Sequence, residues 1–203
     1  MIKGLFITFE GIDGCGKSTQ LNLLAEHLEK QGLDVLKTRE PGAKGLGEKV
    51  REILLNYEGK VSSNCESFLF LADRAQHIDI IIKPAIESGK IVLCDRHIDS
   101  TLAYQGYGRK LDKEQIKSLN NIATSDIKPD LTFVFDIDVE TALSRVGKSK
   151  DRMESAGIEF FERTREGYLE IAKEEPDRVK VIDSNDTIEN IFAQVKSIFN
   201  EII

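Results

Sequence analysis

The chain has 203 residues, 40% hydrophobic and 31% charged, with a formal net charge of −7. That length and balance suit one α/β domain able to bury a full core, and the negative charge argues against a nucleic-acid polyanion as the main partner, since binding one needs a basic face. No apolar stretch is long enough to span a bilayer and no cleavable signal pattern precedes Phe9, so a cytoplasmic protein with no membrane partner is expected. Cys15, Cys65 and Cys94 are scattered without metal-ligand spacing and read as reduced thiols.

Leu5-Phe6-Ile7-Thr8-Phe9 is an apolar run of strand length, and Leu21, Leu24, Ala25 and Leu28 recur at helical spacing up to Gly32. Between the two stands Gly11-Ile12-Asp13-Gly14-Cys15-Gly16-Lys17-Ser18-Thr19, a P-loop in a strand-to-helix context. Its glycines permit backbone conformations that let successive N–H groups curl around an anion, and the helix starting at Ser18 adds its positive dipole end. Lys17 in such a loop reaches the β and γ phosphates and the Ser18 hydroxyl ligates Mg²⁺, so Gly11 to Thr19 is expected to bind a nucleoside triphosphate. Cys15 is read as small filler, with a reactive thiol as the alternative.

Val35-Leu36 begins a second strand, followed by the polar turn Arg39-Glu40-Pro41-Gly42. Strand ends line the ligand crevice of parallel α/β sheets, so Arg39 is either a crevice residue or part of a solvated loop. Gly47 to Tyr57 is a predicted helix carrying Arg51. Another, from about Cys65, contains Phe68, Leu69, Phe70, Leu71 and Ala72, then Arg74. Its apolar residues run nearly all the way round, which predicts a buried helix. Phe70 and Arg74 share a face of it, Phe70 as a core aromatic or a ligand platform. Pro84 predicts a kink or the start of a new helix.

Ile91-Val92-Leu93-Cys94 ending in Asp95 is the third strand and has the Walker B form, in which Asp95 holds Mg²⁺ or its water beside the P-loop. A simple strand-end cap is the other reading of Asp95. Arg96 adds positive charge at the same crevice, and His97 reads as structural. Thr101, Tyr104 and Gln105 fall within one helical turn and form either a base-reading face or a solvated helix.

A helix over Asp112 to Ala123, a fourth strand over Leu131 to Asp136 and a short helix over Val139 to Val146 follow. The pattern then dissolves into a stretch containing Lys148, Lys150 and Arg152, which reads as a mobile loop or a closing lid around 147–156. Phe160 to Ala172 is a helix, Val179 to Asp183 the fifth strand and Thr187 to Ile203 the last helix. The alternation predicts an α/β, three-layer P-loop fold: a five-stranded parallel sheet flanked by helices on both faces, in one domain over 1–203.

A P-loop alone does not specify a reaction. The Asn-Lys-x-Asp guanine motif is missing from the sequence. Arg39, Arg51, Arg74 and Arg96 lie on elements that can converge beside the loop, and guanidinium forks suit a second phosphorylated substrate. The residues thus describe a phosphotransferase with two anionic substrates.

Phe9 to Thr19, Arg39-Glu40-Pro41-Gly42, Ala72-Asp73-Arg74-Ala75-Gln76-His77, Asp95-Arg96 and Ala103-Tyr104-Gln105-Gly106 together resemble the bacterial thymidylate kinase family, in order along essentially the whole chain. The resemblance implies transfer of the ATP γ-phosphoryl group to dTMP with Mg²⁺, giving dTDP and ADP on the way to dTTP for DNA replication. It implies that thymine stacks on Phe70, with its edge read by Arg74, Thr101 and Gln105. Tyr104 would crowd the sugar C2 position, Asp13 would meet the 3′-hydroxyl, Arg39 and Arg96 would hold the dTMP phosphate, and Arg51 would line the pocket. Lys17, Asp95 and Arg96 would be catalytic, with Ser18 and Asp95 at the metal. Gly14 stands where some relatives carry Arg, so the resemblance assigns the missing cation to the basic lid, first to Arg152, with Lys148 and Lys150 in reserve. A homodimer formed by helices including the Phe68 region is also implied, and the segment after Asp183 is where adenine is expected. Ala43-Lys44 and His97 depart from the family pattern of Gly-Thr and Tyr.

Overall fold

The computed structural model describes residues 4–146 and 157–202. Its strands are β1 (Leu5–Glu10), β2 (Val35–Arg39), β3 (Ile91–Asp95), β4 (Leu131–Asp136) and β5 (Val179–Asp183). They pair in the order β2-β3-β1-β4-β5, every pair parallel, as the βαβ alternation predicts.

Side chains alternate across the pleat, so β1 and β3 feed two cores. On one face Phe6, Val92 and Cys94 pack with Ile78, Ile82 and Ala85. The opposite set, Ile7, Phe9, Leu93, Leu131 and Phe133, packs with Leu21, Leu24, Ala25 and Leu28 of helix α1 (Lys17–Lys30). Burying each of these large side chains is worth about 1.5–3 kcal/mol. The near-continuous apolar runs are therefore what a sheet covered on both faces requires.

Helix α2 (Leu46–Asn56) leads to α3 (Ser63–His77), whose first turn is capped by the Ser62 hydroxyl accepting from the Cys65 N–H. The helical path continues through a π-helical turn, Ile78–Ile82, into α4 (Lys83–Glu87), with Pro84 in the first turn of the new segment. Proline lacks the N–H and its ring crowds the preceding turn of an α-helix, and here that preceding turn is π-helical. Past β3, α5 (Ile98–Thr101) opens into a second π-helical stretch, Leu102–Gly108. Helix α6 (Lys113–Thr124) precedes β4, α7 (Val139–Arg145) and α8 (Ile158–Glu174) lie between β4 and β5, and α9 (Ile188–Asn200) packs on α1.

One expectation fails. Helix α3 is not buried all round: Phe68 is 58% exposed, while Glu66, Asp73, Arg74 and His77 are buried. The helix turns its polar stripe inward because those charges find partners on other elements, and it leaves Phe68 outside. The basic segment with Lys148, Lys150 and Arg152 lies outside the described residues.

Candidate active site

The sheet register brings the sequence motifs to one edge. Asp95 stands beside Phe9 on one side and Arg39 on the other. The P-loop, the Arg39-Glu40 turn and the Asp95-Arg96 pair therefore all leave the C-terminal ends of adjacent strands, where parallel sheets bind ligands.

In the P-loop Gly11, Gly14 and Gly16 have φ of 138°, 83° and 91°, and α1 begins at Lys17 with Gly16 as its N-cap. A Cβ built on Gly14 would lie 2.1 Å from the Ala142 carbonyl oxygen, so a side chain at that position requires α7 to move away. Cys15 is buried and its thiol is pushed up by that burial, which disfavours the thiolate and fits the filler role. The Ser18 hydroxyl donates to Asp95 Oδ2 at 2.5 Å, joining the P-loop to the Walker B strand. A hydroxyl beside a carboxylate is a donor set for a hard cation. Among the described residues no three His, Cys, Asp or Glu side chains cluster as a metal site, so such a cation would take its other oxygens from phosphate and water.

Arg96 has φ 69°, in the left-handed region, and is held from several directions. Its Nη1 donates to the Gly11 carbonyl at 2.8 Å and its Nη2 to Asp13 Oδ1 at 2.7 Å and the Tyr104 hydroxyl at 3.0 Å. Ser100 and Tyr168 hydroxyls lie 3.2 Å from Nη1. Burial opposes the ionisation of Asp13, but the charges of Arg96 and Lys17 outweigh it and hold the carboxyl well below the usual range.

A cavity of about 230 Å³ opens above these groups, and every one of Asp13, Arg39, Arg51, Phe70, Arg74, Arg96, Thr101, Tyr104 and Gln105 lines it. They do not all present free polar groups. Arg74 is 1% exposed and all three guanidinium nitrogens are committed: Nε and Nη2 to Glu40 Oε2 at 2.8 Å, Nη1 to Thr101 at 2.7 Å and Asn120 at 2.6 Å, and Nη2 also to the His97 carbonyl at 2.9 Å. Glu40 Oε1 accepts from Nδ1 of both His77 and His97, at 2.8 and 2.9 Å. Burial works against the charge on Glu40, but Arg74 and the histidines prevail and keep it ionised. His97 is thus a buried structural partner of the turn, as expected, with Nδ1 carrying its proton because a carboxylate only accepts. Arg51 crosses under the same turn and donates to the Pro41 carbonyl at 3.0 Å.

A second cavity, of about 480 Å³, lies on the other side of the P-loop and is lined by residues 14–20 together with Arg145, Asp186, Ile188 and Ile191. Lys17 and Ser18 belong to both cavities.

Several residues of the site were missed. Arg145, at the end of α7, faces the second cavity, and a cation just before the basic segment was the signal for it. Glu10 ends the apolar strand β1, and a charge closing such a strand was legible as a buried acid. Its Oε2 accepts from the Ser100 hydroxyl at 2.5 Å and from Tyr168 at 3.1 Å, and its Oε1 from the His97 N–H at 2.6 Å.

The Glu10 carboxyl is pushed up to about 7, first by burial and then by the Asp99 charge, with Ser100, Arg96 and His97 working the other way. The folded protein then keeps a proton that the unfolded chain, with a Glu near 4.5, gives up. Stability contributed by this group falls as pH rises from about 4.5 to about 7 and is level above that. Glu10→Gln keeps the shape without the titration. Its urea midpoint should fall less steeply than that of the native protein over this window, and equal slopes would count against the raised Glu10. Asp73, pushed up to about 6 chiefly by burial and the Glu40 charge, contributes the same fall to both proteins.

The fold and this paired-cavity site define a P-loop phosphotransferase that brings two anionic substrates to Lys17. Residues 9–195 match the family model described as thymidylate kinase. A thymidylate kinase of Desulfovibrio desulfuricans is 46% identical over 95% of this chain and 94% of its own, and one from Sulfurihydrogenibium sp. is 51% identical over 89% of each. The crystal structure of thymidylate kinase from Ehrlichia chaffeensis superposes with a TM-score of 0.81 at 41% identity, covering 97% of this chain and 98% of that one. The chain belongs to the thymidylate kinase family.

Proposed function

We infer that this chain transfers the γ-phosphoryl group of ATP to dTMP, giving dTDP and ADP in the supply of dTTP for DNA replication. The observation that carries this reading is the pair of cavities meeting at Lys17 and Ser18, one along the P-loop and one walled by Phe70, Thr101, Tyr104 and Gln105. ATP occupies the first, its phosphates on the backbone of Gly11 to Thr19 and its adenine toward Asp186, Ile188 and Ile191. The nucleotide acceptor occupies the second. Its base lies on Phe70 and faces Arg74, Thr101 and Gln105, its sugar lies by Asp13 and Tyr104, and its phosphate lies by Arg39, Arg51 and Arg96.

Both substrates are multiply charged, so catalysis consists of aligning them and neutralising charge that spreads over the moving phosphoryl group. Lys17 and Arg96 supply fixed positive charge on the line between the cavities. Asp13 keeps Arg96 aimed, and Tyr104, bonded to both Arg96 and Asp13, fixes the wall beside the sugar. Mg²⁺ fits the Ser18–Asp95 pair and supplies further neutralisation at the phosphates when bound. An acceptor oxygen that is already anionic needs no general base. Arg152, with Lys148 and Lys150, is assigned the closing cation of the lid. The chain works as one kinase domain in the cytoplasm and pairs as a homodimer through the face bearing Phe68. No described helix is long and apolar enough to cross a membrane.

ADP release from Mg-ATP, measured separately with dTMP, dUMP, UMP, AMP and thymidine, tests the reading. The expected result is strong preference for dTMP, with dUMP trailing by about 10- to 200-fold, the range one methyl group is worth in an apolar pocket. Turnover with a different acceptor alone would keep the phosphotransferase and overturn the substrate. ATP binding with no acceptor-dependent release would overturn the enzyme in favour of a nucleotide sensor.

A further inference from the structure

Helix α3 holds a buried carboxylate that neither the phosphate groups nor the P-loop uses. Glu66 is 1% exposed and lies four residues before Phe70. Its Oε1 accepts from Arg109 Nε at 3.2 Å and its Oε2 from Arg109 Nη2 at 3.2 Å, a two-pronged guanidinium–carboxylate pair. Arg109 in turn lies 4.6 Å over the ring of Phe160. The same Oε1 accepts from the side-chain amide of Gln105, Nε2 to oxygen 3.0 Å.

An ionised carboxylate has no hydrogen to give, so the Gln105 group that faces it has to be the NH₂. Which end of an amide points where is usually settled by its hydrogen-bond network, and here the network leaves one solution. Gln105 Oε1 is thereby turned away from Glu66. It has no hydrogen-bond partner among the described residues, and Gln105 lines the acceptor cavity. One helical turn earlier, the Thr101 oxygen accepts from Arg74, which leaves its hydroxyl hydrogen to offer. The wall of the cavity thus carries an acceptor and a donor in fixed positions.

We propose that Glu66 is a positioning residue for base selection: by holding the Gln105 amide in one orientation it presents an acceptor to the pyrimidine and favours a base with N–H at N3. Thymine and uracil have that hydrogen, whereas cytosine has a lone pair at N3 and an amino group at C4. A site whose buried polar groups are left unmatched by the wrong pattern rejects it strongly. The proposal rests on the reading of dTMP as acceptor and adds what sets its selectivity.

The test compares kcat/KM for dTMP with that for 5-methyl-dCMP, which keeps thymine's outline and methyl group and changes only the pattern at N3 and C4. In Glu66→Gln the facing amide can present either its oxygen or its NH₂ to Gln105, so the orientation is no longer enforced. The dTMP to 5-methyl-dCMP preference should fall at least about tenfold, while Glu66→Asp, still an acceptor only, should retain most of the preference. An unchanged preference in folded Glu66→Gln overturns the proposal, and so does an equal loss on both substrates, which is what a purely structural role would give. Should Glu66→Gln not fold, Gln105→Met leaves the Glu66–Arg109 pair in place; its loss of preference supports the proposal and an unchanged preference overturns it. A native enzyme with no dTMP turnover would instead refute the acceptor reading itself.

Discussion

Replacing Arg96 by alanine should lower kcat for dTMP-dependent ADP release by about a thousandfold while the protein stays folded. Arg96 directly follows the Walker B carboxylate, and its left-handed backbone is a conformation that costs a non-glycine residue about 1–3 kcal/mol. Five side-chain and backbone oxygens around its guanidinium hold it in place on the wall of the cavity proposed for the acceptor. A cation pre-positioned in this way needs no reorganisation when negative charge develops, which is where electrostatic catalysis gains most. Its removal also leaves Asp13 with Lys17, at 3.8 Å, as its remaining cation beside the Tyr104 hydroxyl, so the Asp13 carboxyl should move back up toward its ordinary range. The hydrophobic cores on the two sheet faces do not include Arg96, so the fold survives. Steady-state kinetics beside urea unfolding separates the two effects. A kcat within tenfold of the native value would rule out the catalytic role.

Arg74→Ala should behave differently, destabilising the chain by about 3–5 kcal/mol, the range for breaking a buried ion pair from one side. With an m-value of about 2 kcal/mol/M, the urea midpoint would drop by about 1.5–2.5 M. The family resemblance casts Arg74 as a reader of the base edge, for which alanine would mainly weaken dTMP binding. In the structure its nitrogens instead tie α3 to Glu40, Thr101, Asn120 and the backbone at His97. Alanine would strand the buried charge on Glu40 with only two histidines for company and release the Thr101 oxygen from the bond that orients it. Any rise in KM for dTMP then comes with a collapse of the turn that Glu40 belongs to. An unchanged urea midpoint with raised KM would restore the simpler ligand role.

The contrast between these two arginines shows where reading residues in order succeeds. The P-loop, the Walker B carboxylate and the clustering of Arg39, Arg51, Arg74 and Arg96 at one cavity were all legible. A P-loop is encoded locally by glycines whose φ values side chains disfavour, and strand ends converge wherever a parallel βαβ sheet forms. Helix α3 was misread because its pattern was judged by hydrophobicity alone. The partners of its buried charges lie far off in sequence: Glu40 is 34 residues before Arg74, Asn120 is 46 after it, and Gln105 is 39 from Glu66. Glu10 was overlooked for the same reason, since its hydroxyl partner Tyr168 is 158 residues away.

Sequence by itself determined the parallel α/β architecture, the P-loop, the family and nine of the residues that line the cavity beside that loop, because each is carried by short-range pattern or by residue identity at a motif position. Only the tertiary structure decided which of those residues are held by other parts of the protein. It made Arg74 a buried hub, turned His97 onto Glu40 and set the Gln105 amide against Glu66. The reason is that a buried polar group is stable only with its hydrogen bonds made, and those partners come from elements that folding, not sequence proximity, brings together.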